Sequence, residues 1–183
     1  MRIFLACILM IWGAAAAADT PDPELREALK AAANDSPSFT DRFDGEVWLT
    51  DMSARLARQL PDPEERIELL QLVHMEAKRV ALPPELILAV IDVESNFDRY
   101  AVSVAGALGL MQIMPFWIDE IGRPDDNLLH TTTNLRYGCT ILRFYYDKEK
   151  GDLRRALGRY NGSLGSRKYP NKVIDKLSYK WFK

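Results

Sequence analysis

Residues 83–95 read PPELILAVIDVES, and this stretch predicts a helix that carries an ionisable group on its apolar face. Pro83 and Pro84 break the preceding segment and suit the first turn of a new helix, where the amide proton that proline lacks is not needed. Apolar side chains then recur at helical spacing, at Leu86, Ile87, Val90 and Val93. The sequence therefore predicts a helix that ends close to Glu94.

Glu94 follows Ile87 by seven residues and Val90 by four, so its carboxyl projects from the apolar face. In apolar surroundings at the C-terminal end of a helix the charged form is disfavoured, and the pKa of the carboxyl rises. We expect a pKa toward roughly 6, as for the acid in the hydrophobic pocket of lysozyme, because a general acid must hold its proton near neutral pH. The alternative is an ordinary surface or salt-bridged glutamate.

Two nearby carboxylates are predicted to have other roles. Asp92 points roughly 200° away from Glu94 around the helix, so the two cannot act on one substrate together. Asp98 lies beyond the expected helix end, and we interpret it as a turn residue. Glu94 therefore stands as the single candidate acid of this segment.

Helical periodicity also extends through most of the remaining chain. The apolar positions are Trp48, Met52, Leu56 and Leu60; Ile67, Leu70, Val73, Ala77 and Val80; Leu135, Cys139 and Leu142; Leu153, Ala156, Leu157 and Tyr160; and Val173, Ile174, Leu177 and Trp181. Asp62, Pro63 and Glu65 form a helix-start pattern of cap, first-position proline and capping box. No stretch alternates convincingly as a strand, so the predicted fold class is all-α.

Composition bounds the class of protein. The chain has 183 residues, of which 48% are hydrophobic and 27% charged, which excludes a disordered or fibrous protein. The net charge is −2, yet residues 143–183 hold 12 basic and 4 acidic residues. Such a segment favours an anionic polymer, either nucleic acid or a cell-wall glycan with carboxylated peptides, unless it is only a solvated surface.

Residues 1–18 resemble an export signal, with Arg2, an apolar run over residues 3–12 and small residues before Asp19. The run is shorter than the roughly 20 residues of a membrane span, and Cys7 lies too early for a lipoprotein signal. We therefore expect a mature periplasmic protein from about Asp19, without stable membrane insertion. It would keep only Cys139, which we interpret as a buried core side chain. Export favours wall glycan over nucleic acid as the partner.

Two further segments carry polar groups suited to sugars. Residues 103–115 mix glycines with long side chains, and we expect a shaped loop and a short helix. Gln112 can hydrogen-bond an amide or hydroxyl, while Met111 and Met114 offer apolar walls, one of them as core filler. Residues 160–162, Tyr-Asn-Gly, end a helix, with the glycine as its cap. An ordinary helix-stop turn is the alternative for this second segment.

Three motifs in order resemble the family 1 lytic transglycosylases, the catalytic domain of soluble lytic murein transglycosylase. They are Glu94-Ser95, then GALGLMQIMP at residues 106–115, then ALGRYNG at residues 156–162. Residues 101–103, Asn134, Gly138, Leu142 and residues 169–173 are supporting matches, so the resemblance covers about residues 82–173. The sequence departs from the family at residues 162–164, Gly-Ser-Leu, where members commonly have Ala-Gly-Pro. This departure affects the loop at the border of the cleft.

The resemblance implies a lysozyme-like helical domain in which Glu94 is the single catalytic acid and base. It implies motif-structural roles for Ser95, Gly109 and Gly162, and substrate contacts for Ser103, Gln112, Met114, Tyr160 and Asn161. We also expect Tyr160, Tyr169 and Trp117 as sugar-stacking rings. The implied reaction cleaves peptidoglycan between N-acetylmuramic acid and N-acetylglucosamine and leaves 1,6-anhydromuramic acid, with no metal or cofactor. His74 and His130 show no ligand spacing.

The predicted organisation is a signal peptide at residues 1–18, a helical extension at 19–81 and the catalytic domain at 82–183. Three alternatives remain at this point. A hydrolytic goose-type lysozyme shares the fold, a weakly catalytic glycan-binding protein could serve a secretion or conjugation apparatus, and an exported interaction domain could match the motifs by chance. The sequence identifies the glycan strand as partner and names no protein partner.

Overall fold

The computed structural model of the protein describes residues 38–182, and these form a helical fold. Its elements are α1 (Arg42–Leu56), α2 (Pro63–Arg79), α3 (Pro84–Glu94), α4 (Phe116–Ile121), α5 (Thr131–Lys148), α6 (Leu153–Tyr160), α7 (Lys168–Lys176) and a π-helical turn (Leu177–Trp181). Strand-like pairing within residues 38–182 is limited to two isolated bridges, Val102–Leu108 and Leu108–Ile113. The all-α prediction is confirmed. The predicted signal peptide lies outside the described residues.

The helices begin where the sequence predicts. The Asp62 carboxylate accepts hydrogen bonds from the backbone N–H groups of Glu64 and Glu65, and Pro63 occupies the first position of α2. Such a cap satisfies amide groups that have no partner inside the helix. Pro84 opens α3 directly after Pro83, and α3 ends at Glu94, as expected.

Helix α3 is the most deeply buried element. Its residues from Ile87 to Ile91 are 0% exposed, and it packs against α2, α7 and the π-helical turn. Each buried leucine or isoleucine of this kind contributes about 1.5–3 kcal/mol of hydrophobic free energy. Helices α1 and α2 share the same core through side chains such as Leu56 and Val73. Helix α3 is therefore fixed in position by packing against α2, α7 and the π-helical turn.

The segment between α3 and α4 differs from its prediction. No helix forms within residues 103–115, and the expected short helix is wrong there. Gly106, Gly109 and Gln112 have φ angles of +85°, +72° and +49°, which a right-handed helix does not accommodate. The next helix after α3 is α4, which begins directly after Pro115.

The C-terminal helix also departs from a regular pattern. The predicted single helix over Val173 to Trp181 is α7 followed by the π-helical turn. Trp181 is 1% exposed, so the turn is anchored in the core. Cys139 on α5 is buried, as predicted. None of the helices in residues 38–182 is both long and apolar enough to cross a bilayer.

Candidate active site

Glu94 is the last residue of α3, and it is half-buried at the wall of a cavity of about 330 Å³. The cavity is bordered by α3, by the loop after α6 and by α7. Its lining residues are Val93, Glu94, Asn161, Ser163, Ser166, Lys168, Tyr169 and Lys172. Glu94 is the single carboxylate among these residues.

Burial raises the pKa of Glu94 to about 7, and a hydrogen bond from Tyr169 acts in the opposite direction. The Tyr169 hydroxyl donates to Oε1 of Glu94 at 2.5 Å. Desolvation therefore outweighs a donor that favours the charged form. The predicted upward direction of the pKa is confirmed, and Glu94 exchanges its proton near neutral pH.

Tyr169 lines the Glu94 cavity and makes a contact with Glu94 that sequence reasoning did not anticipate. We expected a sugar-stacking ring, but Tyr169 is 8% exposed and its hydroxyl is engaged by Glu94. It comes from α7, 75 positions after Glu94, so no local spacing relates the two residues. Its place in the Tyr-Pro-Asn-Lys-Val stretch at residues 169–173, one of the supporting matches, is the signal that pointed to it.

Asp92 lies on another side of α3 and is fully paired. Its Oδ1 accepts from the Lys176 ammonium at 2.7 Å, and its Oδ2 accepts from Lys180 at 2.8 Å and from the Trp181 ring at 3.2 Å. Burial alone would raise the pKa of Asp92, but the hydrogen bonds and charges of the two lysines hold it below its ordinary value. Asp92 thus ties the C-terminal segment to α3 through its paired carboxylate.

Asp98 is an exposed turn residue, as predicted. Its carboxylate accepts a hydrogen bond of 2.9 Å from the backbone N–H of Tyr100. This is a local turn contact of the kind that Asp commonly makes. Asp98 is not among the residues that line the Glu94 cavity.

The loop after α3 is fixed by hydrogen bonds from side chains. The Ser95 hydroxyl donates to the Leu110 carbonyl at 2.9 Å. The Asn134 amide, buried on α5, donates to the carbonyls of Leu108 and Leu128 and accepts from the Met111 N–H, each at 2.8 Å. The loop is therefore joined both to the helix that ends in Glu94 and to α5.

Gly109 is required by this arrangement. A Cβ at Gly109 would lie 2.5 Å from the Asn134 amide nitrogen and 2.8 Å from the Leu128 carbonyl oxygen. Its φ of +72° would also strain any larger residue. Met111, which follows in the loop, is 0% exposed, so it is the core-filling methionine of the two.

The predicted substrate residues of the loop are placed outside the Glu94 cavity lining. Ser103 Oγ accepts a hydrogen bond of 2.9 Å from the Ala107 N–H, which leaves its own proton available. The Gln112 amide nitrogen donates to the Ala101 and Gly109 carbonyls at 3.2 and 2.9 Å. The Gln112 amide thus helps to shape the loop, and its carbonyl oxygen remains as an acceptor. Met114 is half-buried.

The end of α6 reaches the site from the other side. Asn161 lines the cavity together with Glu94, whereas the Tyr160 hydroxyl donates to the Met111 carbonyl at 2.7 Å. Burial, and then the charge of nearby Glu94, raises the pKa of Tyr160 well above its ordinary value. Gly162 has a φ of +71° and follows the helix end as a cap. Ser163, where the sequence departs from the family, has a buried hydroxyl without a partner in the described part of the chain.

Among residues 38–182, no three His, Cys, Asp or Glu side chains form a group that could hold a metal ion. His74 is buried against Phe39, with ring centroids 3.8 Å apart, and its Nδ1 lies 2.7 Å from the Ser38 hydroxyl. Burial, and then the charge of Lys78, lowers the pKa of His74 to about 4. His74 is therefore a neutral packing residue at physiological pH.

A comparison with known families now places the chain. The family model described as "Transglycosylase SLT domain" matches residues 71–182. The chain belongs to this family. The match confirms the resemblance to this family, and the matched residues include α3, the loop of residues 103–115, α6 and α7.

Individual relatives of this SLT domain match over shorter stretches. The membrane-bound lytic murein transglycosylase C of Haemophilus ducreyi is 40% identical over 73 residues, which is 36% of this chain and 20% of the relative. The transglycosylase of Enterobacteria phage PRD1 is 32% identical over 104 residues, which is 53% of this chain and 38% of the relative. The matched part is thus less than two fifths of the length of either relative.

A solved structure is also similar to this SLT domain. The 70-kDa soluble lytic transglycosylase of Escherichia coli is 22% identical, with a TM-score of 0.47. The similarity covers 82% of this chain and 25% of that chain.

Proposed function

We propose that this chain is a peptidoglycan lytic transglycosylase. It would cleave the β-1,4 bond between N-acetylmuramic acid and N-acetylglucosamine and leave a 1,6-anhydromuramic acid end. One observation carries the proposal: Glu94, the sole carboxylate of its cavity, has a pKa of about 7 in a chain of the SLT family. A group whose pKa lies near neutral pH can both give and take a proton.

In the first step the protonated Glu94 donates to the glycosidic oxygen. The bond from C1 of N-acetylmuramic acid to that oxygen breaks, and N-acetylglucosamine leaves with the new hydroxyl. The N-acetyl group of the muramic acid stabilises the positive charge that develops at C1. The desolvated surroundings that raise the pKa of Glu94 keep its proton available for this transfer.

In the second step the ionised Glu94 removes the proton from the 6-hydroxyl of the same sugar. The 6-oxygen forms a bond to C1, which closes the anhydro ring, and Glu94 is again protonated. The Tyr169 hydroxyl, which donates to Oε1, stabilises the carboxylate between the two steps. A second catalytic carboxylate, as in ordinary retaining glycosidases, is not needed because the substrate supplies the nucleophile.

The nearby acidic residues do not offer an alternative nucleophile. Asp92 is neutralised by two lysines, and Asp98 accepts a hydrogen bond in an exposed turn. In our proposal Ser103, Gln112, Met114, Tyr160 and Asn161 contact the glycan, and the motif residues Ser95, Gly109 and Gly162 maintain the shape of the cleft. The contacts of Ser95 and Gly109 with the loop support the second part of this assignment.

The same proposal includes the cellular place and the partners of the protein. We propose export by residues 1–18 and action in the periplasm on glycan strands, with residues 82–183 as the catalytic unit and residues 19–81 as an extension. The names of the relatives, which refer to murein and to membrane-bound enzymes, support an exported protein. Sequencing of the N-terminus from the cell envelope tests this point, since cleavage near Ala18–Asp19 is expected and a retained Met1 would contradict it.

Mass spectrometry of the products from purified glycan strands tests the activity. Anhydro-muramic ends without incorporation of oxygen from ¹⁸O-labelled water are expected. Reducing ends that carry ¹⁸O would show a goose-type hydrolase instead. Binding of strands without any cleavage would show a glycan-binding accessory protein.

A further inference from the structure

A second cavity adjoins the cavity of Glu94. It has a volume of about 610 Å³ and shares the lining residues Val93 and Lys172 with the Glu94 cavity. We call it the lysine groove; Asp92, Val93, Lys172, Asp175, Lys176, Tyr179 and Lys180 line it. The two cavities therefore meet beside Val93 and Lys172.

The two cavities together have an excess of positive charge. Lysines at steps of four residues line them, at Lys168, Lys172, Lys176 and Lys180. Steps of four place side chains along one face of a helix. Asp92 and Asp175 are the carboxylates that line the lysine groove, and Glu94 is the carboxyl that lines the other cavity. When Glu94 is protonated, the two cavities together therefore have two anions and four ammonium groups.

The ammonium groups remain available to a ligand. Lys176 and Lys180 each donate to Asp92, yet their side chains are 43% and 24% exposed, and an ammonium has three N–H donors. Lys168 and Lys172 are exposed and form no ion pair with any residue in the described part of the chain. Two of the lysines are thus held in place by Asp92, and the other two are exposed.

We propose that the lysine groove binds the carboxylates of the peptide stem that N-acetylmuramic acid carries in the wall. The inference rests on the proposed function, which places that sugar at Glu94. The stem is attached to the same sugar whose glycosidic bond breaks, so its chain leaves the Glu94 cavity close to the bond. Lys172 lies where the two cavities meet, and its ammonium makes charge-assisted hydrogen bonds with the stem carboxylates.

Binding to three matched ligands tests the proposal without turnover, in the Glu94→Gln background. The ligands are a fluorescent wall disaccharide with its peptide stem, the same disaccharide with the stem carboxylates converted to carboxamides, and the disaccharide without peptide whose lactyl carboxyl is also converted to a carboxamide. We expect Lys172→Gln to weaken binding of the carboxylated ligand by about two- to five-fold more than binding of the other two. Lys168→Gln should act in the same direction.

Lys78→Gln provides the matched control, because Lys78 is an exposed lysine on α2 that lines neither cavity. It removes the same charge and should change the binding affinity of all three ligands by the same factor. Equal losses for all three ligands in Lys172→Gln and Lys168→Gln, or no loss for any, would overturn the proposal. Cleavage of strands by the unmodified protein is measured separately, so a failure of the proposed activity is distinguished from a failure of the lysine groove.

Discussion

Asp92 and Glu94 are two residues apart on α3, and their carboxyl groups meet different surroundings. Asp92 is enclosed by two lysine ammonium groups and the Trp181 ring, and the two lysines hold its pKa below the ordinary value against the effect of burial. Glu94 meets no cation at hydrogen-bond distance in the described part of the chain, and burial raises its pKa to about 7. Both groups are removed from water, so the presence of a cation decides which one keeps its charge.

This comparison separates a carboxylate with a structural role, Asp92, from the carboxyl that we propose as the catalytic acid and base, Glu94. A paired buried anion attaches one element to another, and its protonation would leave two lysines without a partner. An unpaired half-buried carboxyl destabilises the fold when it ionises, and it exchanges its proton near neutral pH. Four measurements test this contrast between Asp92 and Glu94.

The largest expected effect is on catalysis by Glu94→Gln. The amide keeps the shape of the side chain but removes both proton transfers, and each such transfer contributes about 10²–10⁴-fold. We expect turnover of glycan strands to fall by about 10⁴-fold or more, with an unchanged circular dichroism spectrum. Asp98→Asn, which alters an exposed turn, is the control and should keep most of the activity. A fully active Glu94→Gln would exclude Glu94 as the catalytic residue.

Asp92→Asn should mainly affect stability, with a large decrease in the free energy of unfolding. Removal of one partner from a buried ion pair costs about 3–5 kcal/mol, and the partial exposure of both lysines reduces this to about 2–3 kcal/mol. Urea unfolding measures the change. Asp175→Asn, an exposed acid on α7, is the matched control and should change the free energy of unfolding by less than about 0.5 kcal/mol. Similar midpoints for the two variants would contradict a structural role for Asp92.

The two carboxyls should also affect stability in opposite senses as the pH changes. The pKa of Glu94 is raised from 4.5 to about 7, so its protonated form supports the fold fully below pH 4.5 and this support is lost as the pH rises through 7. Glu94→Gln should therefore be more stable than the unmodified protein by about 2–3 kcal/mol at pH 8. The two should be equally stable at pH 4. The contribution of Asp92 is instead present above the pKa of an unfolded aspartate and is lost as the pH falls through its lowered pKa.

Urea titrations of both proteins at several pH values measure this difference. Because the ionised Glu94 carboxylate opposes folding at alkaline pH, Glu94→Gln, the variant that our proposal makes inactive, should be the more stable protein. A pH-independent difference between Glu94→Gln and the unmodified chain would show that Glu94 is not desolvated.

The smallest expected effect is that of Tyr169→Phe on the pH profile. Loss of the donor to Oε1 raises the pKa of Glu94 further, because that hydrogen bond lowers it. Activity needs protonated Glu94 for the first step, so it should fall above about pH 7 in the unmodified protein. In Tyr169→Phe this fall should occur at a pH that is higher by up to about one unit. Tyr179→Phe, an exposed tyrosine on the π-helical turn, should leave the profile in place. An unchanged profile in Tyr169→Phe would mean that the hydrogen bond does not act on the catalytic proton.

Local spacing accounts for what could be predicted from the sequence. The helix of residues 84–94, the cap at Asp62 and the apolar position of Glu94 all depend on neighbours within one or two helical turns. The partners of the two carboxyls could not be predicted in this way. Tyr169 and Lys176 reach α3 from 75 and 84 positions away, and only the packing of α7 against α3 brings them there.

The loop of residues 103–115 shows a second limit. Its glycines indicated a shaped backbone, but the positive φ of Gln112 and the attachment to Asn134 depend on α5, which follows later in the chain. The resemblance to a family identified Gln112 as a candidate for the cleft. It did not indicate that the Gln112 amide nitrogen is occupied by the Ala101 and Gly109 carbonyls.

The three hydrogen bonds of Asn134 have a consequence for the thermodynamics of substrate binding. They fix the backbone at Leu108, Met111 and Leu128 before any glycan arrives, and Gly109 fits against the amide without room for a Cβ. A loop that is already ordered loses little conformational entropy when a ligand docks. If the proposed glycan strand docks against this loop, the entropic cost of the complex therefore falls mainly on the flexible strand and on the lysine side chains, because the backbone of the loop is already ordered.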